Sequence, residues 1–449
     1  MKSIKGILVI SLVMLLFMSS CEFPLPAMSG TNETSASEAS KLEVSGLESQ
    51  GNATLAQTAT STPTIQVPTA TQEPTPTCTA TSTFTSTPEL PAAVGPENFP
   101  EDVNPLTGLR VEEPELLMLP PATISVSNFP ASARPQAGLS FSPIIYELTI
   151  GEGMTRFLAT FYGQFPSAVS GQTEGDPASG GSAADSGVIG PIRSGRLPFE
   201  SLRAQLNGFL VMASAYQGVA ATLNESTSIF GSDSDDINSA LIGVDQLEKI
   251  AQAQYERSGK SPYLDGMAFD ETVPDGGLAA ENIWIYYSFL NQIQWDYDPA
   301  LGKFIRSDIT TDGSETFIVS TDRLTGDPLG KENIVILFAE HDYKAPTLID
   351  IELDNVPQGK AILFRDGQMF ELFWTSKYGD FEKETGLLRP IRFMDAEGKT
   401  FPFKPGQTWV HIVSLATIAW EAENNGHPFR PIIEQAGSAL WAVRYYGKY

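Results

Sequence analysis

Cysteine is almost missing from this chain. Only Cys21 and Cys78 occur in 449 residues, and Cys78 lies in a Thr/Pro tract. A folded region without cysteine has no disulfide and no thiolate metal site, and at this length it needs neither. Histidine is nearly as scarce. His341, His411 and His427 are the three present, and none stands at metal-ligand spacing from another. No metal and no cofactor are therefore expected. Positive charge is short as well: 28 Lys and Arg against 54 Asp and Glu, a formal net charge of −26. Phosphate backbones are held by clustered cations, so nucleic acid is not an expected partner. There is no P-loop, no G-x-S-x-G elbow and no dinucleotide fingerprint. No apolar run reaches the roughly 20 residues that a membrane-crossing helix needs.

What the chain does have begins at its N-terminus. Lys2 and Lys5 precede an apolar run from Ile7 to Met18, and Ser19, Ser20 and Cys21 follow. Residues 1–21 read as a signal peptide whose end resembles a bacterial lipobox, which makes Cys21 the lipidation site. Two or three acyl chains, at about 0.8 kcal/mol per buried CH₂, would anchor the protein to the extracytoplasmic face of the cell membrane. Residues 22–100 are rich in Thr, Ser, Ala and Pro and lack apolar periodicity. They read as a disordered linker with a span of roughly 50 Å as a flexible coil.

The folded part is expected from residue 101. Asn104 to Leu109 reads as a turn, Ala122 to Ser127 as a strand, and Phe129 to Leu139 as irregular. Pro143 to Ile150 and Met154 to Tyr162 read as a hairpin closed by Gly151-Glu152-Gly153. If Ile150 faces Met154, then Glu147 faces Phe157 and Leu148 faces Arg156. Side chains alternate along a strand, so Glu147 and Arg156 then point to opposite faces, unless a bulge intervenes. Residues 167–187 are Gly/Ser-rich and acidic and read as a surface insertion. Val188 to Arg193, Leu197 to Asn207 and Phe209 to Ala213 read as strand, helix and strand, a parallel pair with a right-handed crossover. Asp245 to Ser258 reads as a helix with Asp245 and Glu248 as an N-terminal capping pair and Gly259 at its end. FGSDSDDINS (230–239) lacks the glycine and glutamate of an EF-hand loop.

From residue 280 strands dominate. Ile283 to Phe289, Ile293 to Tyr297, Lys303 to Ser307, Asn333 to Ala339, Leu348 to Leu353, Lys360 to Phe364, Met369 to Thr375, Pro390 to Met394 and Thr408 to Ser414 are expected, with turns at Asp366-Gly367 and Glu397-Gly398. The fold class expected is an α/β (or α+β) N-terminal domain, 101–275, and a mainly antiparallel β C-terminal domain, 280–415. A tail, 416–449, follows. In the tail Trp420, Trp441, Tyr445 and Tyr446 read as packing residues, with carbohydrate stacking as the alternative.

Four motifs in series, NPLTGL, ARPQAGLS, YELTIGEGMTRFLATF and IGPIRSGR, resemble the YerB-like bacterial lipoproteins. WDYDPALGKFIRS, GKAILFRDGQMFELFWT and FMDAEGKTFPFKPGQTWVHIVS extend the resemblance into the C-terminal half. The resemblance implies a lipoprotein of two domains and no assigned activity. Where that family carries histidine, this chain reads VMASAYQG and SGKSPYLDG.

The candidate ligand-binding residues are Arg134, Glu147, Glu152, Arg156, Arg193, Ser194 and Arg196. Glu147 stands out as a carboxylate inside an apolar run, where it must be paired or perturbed. Arg193, Ser194 and Arg196 precede a helix start, a favourable place for an anion. Two readings follow. One is a membrane-anchored extracytoplasmic protein that binds a cell-wall polymer or an envelope protein. The other is a hydrolase of envelope glycan or a phosphorylated substrate, with Glu147 or Glu152 as acid/base and the arginines holding an anion. The two diverge on whether those side chains converge on one cleft.

Overall fold

A computed structural model of the chain describes residues 93–165 and 187–448. Cys21, the signal peptide, residues 22–92 of the linker and all but the last residue of the 167–187 insertion lie outside the described residues. Residues 93–100, read as the end of the linker, are part of the fold instead: Ala93–Val94 pairs antiparallel with Phe269 and Asp270, and Val94 is buried. The described residues belong to one compact unit. It is mostly sheet with few helices, and twelve strands carry the argument. They are β1 (Ala122–Ser127), β2 (Ile144–Gly151), β3 (Met154–Phe161) and β4 (Phe209–Met212) in the first half. The second half supplies β5 (Asn282–Ser288), β6 (Asn291–Asp298), β7 (Lys303–Ile309), β8 (Asn333–Ala339), β9 (Gly359–Arg365), β10 (Gln368–Thr375), β11 (Thr408–Ser414) and β12 (Leu440–Arg444).

Two sheets form two layers. The larger, of eleven strands, runs β10-β9-β8-β11-β2-β3-β1-β4 through its centre. Strands of both sequence halves therefore share it. The joint is β11, which lies parallel to β8 on one side and parallel to β2 on the other. The smaller, of seven strands, contains β7-β6-β5-β12. The residues explain the layering. Central strands buried on both faces read as continuous apolar runs, and β8 (NIVILFA) is buried at every position. In β5 (NIWIYYS) burial alternates instead, so Ile283 and Ile285 face the interlayer and Trp284 and Tyr286 face outward. The interlayer core joins Phe157, Ile336 and Trp409 of the large sheet to Ile283, Ile293, Trp295 and Phe304 of the small one. The other face of the large sheet, with Leu148, Leu158, Val335 and Val410, is covered by helix α1 (Pro198–Gln205) through Phe199 and Leu202.

Three sequence expectations are corrected here, and the tail, which the sequence left unplaced, finds its position. Phe209–Met212 does have a parallel partner, but it is β1 rather than the 188–193 segment. Val188–Ile189 pairs antiparallel with Ile242–Gly243. The helix Val244–Ser258 is capped by Gly243 with no side-chain cap, so Asp245 and Glu248 form no capping pair, while Gly259 does close it in the left-handed region at φ 61°. The tail is a structural part of the small sheet: β12 runs parallel to β5, and Ile418–Glu421 pairs with β12. Trp441 donates to the Ala279 carbonyl at 3.0 Å, and Trp420 packs on Phe429.

The β2–β3 hairpin keeps the expected register at Glu147 opposite Phe157 and Leu148 opposite Arg156, but a shift between Thr149 and Gly151 sets Gly151, not Ile150, opposite Met154. Gly151, Glu152 and Gly153 all have positive φ, at 99°, 53° and 72°. A Cβ on Gly151 would stand 1.9 Å from the Pro346 carbonyl oxygen. Gly151→Ala should therefore cost about 1–3 kcal/mol in urea unfolding. Glu152→Asn, at an exposed left-handed position that Asn tolerates, should change stability by less than about 0.5 kcal/mol.

Candidate functional site

The parity of the hairpin sends Glu147 and Arg156 to different places. Glu147 enters the interlayer and is fully buried. Its carboxylate accepts from Thr155 Oγ1 at 2.7 Å, from Trp409 Nε1 at 3.0 Å and from Arg306 Nη1 at 2.9 Å. Arg306, on β7 of the opposing sheet, also binds both oxygens of Asp308, its neighbour two residues along the same strand face. Its guanidinium carbon lies 4.5 Å over the Trp409 ring, with the Phe157 and Trp295 rings at 5.4 and 5.5 Å. Burial alone would lower the Arg306 pKa, and the two carboxylates more than reverse it. Burial would raise Asp308, but Arg134 and Arg306, with hydrogen bonds from Arg306 and Ser320, hold it at about 2.

His411 completes this cluster without charge. Trp295 Nε1 is a donor only and stands 3.0 Å from His411 Nε2, so the ring proton is assigned to Nδ1, 3.5 Å from Glu147. Burial, reinforced by the Arg306 charge, holds its pKa well below the usual value. A charge pair sealed by three indole and phenyl rings has no room for a substrate. Glu147 is paired, as a carboxylate in an apolar run must be, and is thus removed from the ligand-binding candidates: it bolts one sheet to the other. Sequence reading missed Arg306, whose signal was the Arg-Ser-Asp spacing that puts two opposite charges on one strand face.

Arg156 enters the opposite face, and there the candidates do gather. The 191–195 segment crosses the ends of β1 and β4. Arg193 donates its backbone N–H to Ser125 and accepts from Ala213, and Gly195 donates to Ser214. Arg156 Nη1 and Ser125 Oγ both donate to the Ser194 carbonyl, at 3.1 and 3.0 Å. Arg193 Nε donates to Ser127 Oγ at 3.3 Å. Arg156, Arg193 and Arg196 are thus brought together, and none has a carboxylate within salt-bridge distance among the described residues. Arg156 is 4% exposed, and its Nε, like that of Arg196, is buried without a hydrogen-bond partner. Burial, then the charges of Arg196 and Arg193, push the Arg156 pKa down to about 9. Burial also lowers Arg193, against the pull of Asp236, and lowers Arg196. The cluster sits where two parallel strands end, the usual place for a ligand in such sheets.

The remaining candidates lie elsewhere. Arg134 faces the Glu147 side: its Nε donates to Asn128 at 3.0 Å, and Nη2 lies 3.8 Å from Asp308. Glu152 is exposed at the hairpin tip. The acids and the three arginines therefore do not converge on one cleft.

The interlayer pair makes a testable case. Removing one member of a buried ion pair leaves the other uncompensated, so Arg306→Ala should cost about 3–5 kcal/mol. The double variant Glu147→Gln/Arg306→Met should recover part of that loss in urea titrations. Asp308 holds fewer protons folded, at about 2, than at its ordinary 3.8. Its contribution is therefore complete above roughly pH 4 and is lost as pH falls toward 2. Asp308→Asn should flatten that part of the acid stability profile.

The chain matches the family models described as "Protein of unknown function (DUF3048) N-terminal domain" over residues 106–263 and "Protein of unknown function (DUF3048) C-terminal domain" over residues 283–410. It is similar to the protein named "Putative lipoprotein YerB" of Bacillus subtilis (strain 168), at 27% identity over 328 residues, covering 69% of this chain and 85% of the relative. The crystal structure of the YerB protein from Bacillus subtilis superposes with a TM-score of 0.50 at 26% identity, over 69% of this chain and 96% of that one. The two matched domains span well over half of the sequence, and the chain belongs to the DUF3048 family.

Proposed function

We propose that this protein is a lipid-anchored, extracytoplasmic binding protein, and that Arg156, Arg193 and Arg196, with Ser194, take an anionic group of an envelope polymer or an envelope protein. The observation that carries this reading is the unpaired state of those arginines. The chain has nearly two acids for every base. Even so, three guanidiniums stand together with no carboxylate on them among the described residues. Packing like charges together and burying part of them costs free energy that a bound carboxylate or phosphate would offset through charge-assisted hydrogen bonds. The anchor rests on the Cys21 motif, the linker composition and the name of the Bacillus subtilis relative. The hydrolase reading loses support from both candidate acids, because Glu147 is sealed on the other side of the sheet and Glu152 is exposed at the hairpin tip.

Two measurements test this. For full-length protein, thermal unfolding with inorganic phosphate or citrate, at matched ionic strength, should rise with ligand, by about 1.4 kcal/mol at ten times Kd. Arg193→Gln/Arg196→Gln should abolish that rise while leaving stability without ligand unchanged or higher, because a repulsion has been removed. A loss of ligand-free stability would mark the arginines as structural and sink the proposal. In the native host, Cys21→Ser should move the protein from the membrane fraction to the soluble extracytoplasmic fraction. Retention in the membrane would remove the lipid anchor.

A further inference from the structure

The outer face of the small sheet carries a second site of different chemistry. A cavity of about 420 Å³ opens between this face and the 424–430 segment of the tail. Pairing of β5 with β6 sets Asn282 opposite Asp296, Trp284 opposite Gln294 and Tyr286 opposite Gln292. All six side chains share the outward face. Aromatic rings occupy one strand and planar polar groups the next. Phe429 closes the far wall, edge-on to Trp284 at 5.5 Å and tilted to Tyr286 at 5.2 Å.

The polar groups are only partly used by one another. Asn282 Nδ2 donates to Asp296 Oδ1 at 2.6 Å. Trp284 Nε1 donates to Gln292 Oε1 at 3.1 Å, and Gln292 Nε2 donates to the Phe289 carbonyl at 3.1 Å. These bonds fix the rotamers of the floor. The Gln294 and Asn424 side chains make no hydrogen bond to any described residue. Both line the cavity, Gln294 half-buried and Asn424 exposed.

Ligand classes can be separated on this geometry. The floor is the face of a sheet whose strands are already paired, so an extended peptide cannot add a strand here and would have to be read by side chains alone. The lining carries both signs, Asp296 and Glu315 with Arg430, so it presents no field of one sign to select a charged ligand. What remains is a neutral ligand with an apolar face and many hydroxyl or amide groups. We propose that this cavity binds a neutral oligosaccharide, with an N-acetylated sugar favoured because carboxamides pair with carboxamides. The accessible parts of the half-buried Trp284 and Tyr286 ring faces take the apolar C–H faces of the sugars, and Gln294, Asn424 and Asp296 take hydroxyl and acetamido groups.

The test uses the full-length chain with tetra-N-acetylchitotetraose, cellotetraose and maltotetraose as probes. Each is read by calorimetry and by the intrinsic tryptophan signal, up to about 10 mM, above the millimolar Kd expected of weak contacts. Binding should be measurable and strongest for the N-acetylated sugar. Gln294→Ala and Asn424→Ala, both at surface positions that leave the core intact, should each weaken it about tenfold, the loss of one good hydrogen bond. Arg193→Gln/Arg196→Gln should leave it unchanged, which separates this site from the arginine cluster. Absence of binding by all three sugars overturns the proposal, as does binding that survives both alanine variants.

Discussion

The structure depends on a charge pair buried between two sheets. Glu147 and Arg306 are 159 positions apart in sequence and meet at 2.9 Å with almost no exposure on either side. A carboxylate or guanidinium taken out of water alone would cost several kcal/mol, and mutual attraction recovers this only when the remaining lone pairs and N–H groups are also satisfied. Here they are. Thr155 and Trp409 complete the carboxylate, Asp308 completes the guanidinium, and rings cover the rest. Such a pair is weak evidence for net stability. It is a strong selector of one arrangement, because any slip of one sheet over the other would leave two buried charges alone.

A one-residue parity then divides structure from candidate function. β2 and β3 are buried along nearly their whole length, so both faces of the hairpin must be used. Glu147 and Phe157 face the interlayer, while Leu148 and Arg156 face α1 and the 191–195 segment. The acid found its base across the interlayer. The arginine found other arginines. Packing cations together and burying part of them costs free energy that the described residues offset only with carbonyl and hydroxyl acceptors.

Much of this was legible in the sequence and some was not, for physical reasons. β8 and β11 match their expected limits at both ends, since a short apolar run with β-branched residues between turn signals is a local property. The pairing of Glu147 with Phe157 followed from the Gly-Glu-Gly loop, while the shift that brings Gly151 opposite Met154 did not. The Asp366-Gly367 turn followed from residue type, and both residues have positive φ as a two-residue hairpin requires. Partner choice was not legible. Nothing local says that Phe209–Met212 should join β1, that β11 should lie between β8 and β2, or that the tail should return to β5. The same limit hid Arg306 from Glu147: the apolar run showed that the carboxylate had to be paired or perturbed, as it is, but nothing local named the partner.

The two proposed sites lie on opposite outer sides of the sandwich. The arginine cluster is on the face of the large sheet turned away from the small one, and the aromatic cavity is on the face of the small sheet turned away from the large one. Between them stands a close-packed interlayer with a single arrangement of its charges. A bound group at one side cannot touch a bound group at the other, so the two sites can differ in ligand chemistry without competing. Their chemistries do differ. One offers fixed positive charge in a chain of net −26, which suits a charged group and weakens with salt. The other offers rings and carboxamides, whose contacts are short-ranged and nearly indifferent to salt. A polymer that carries both anionic groups and neutral sugars could then be held at two points by one domain. The strength of that grip would depend on the spacing of the groups along the polymer rather than on either contact alone.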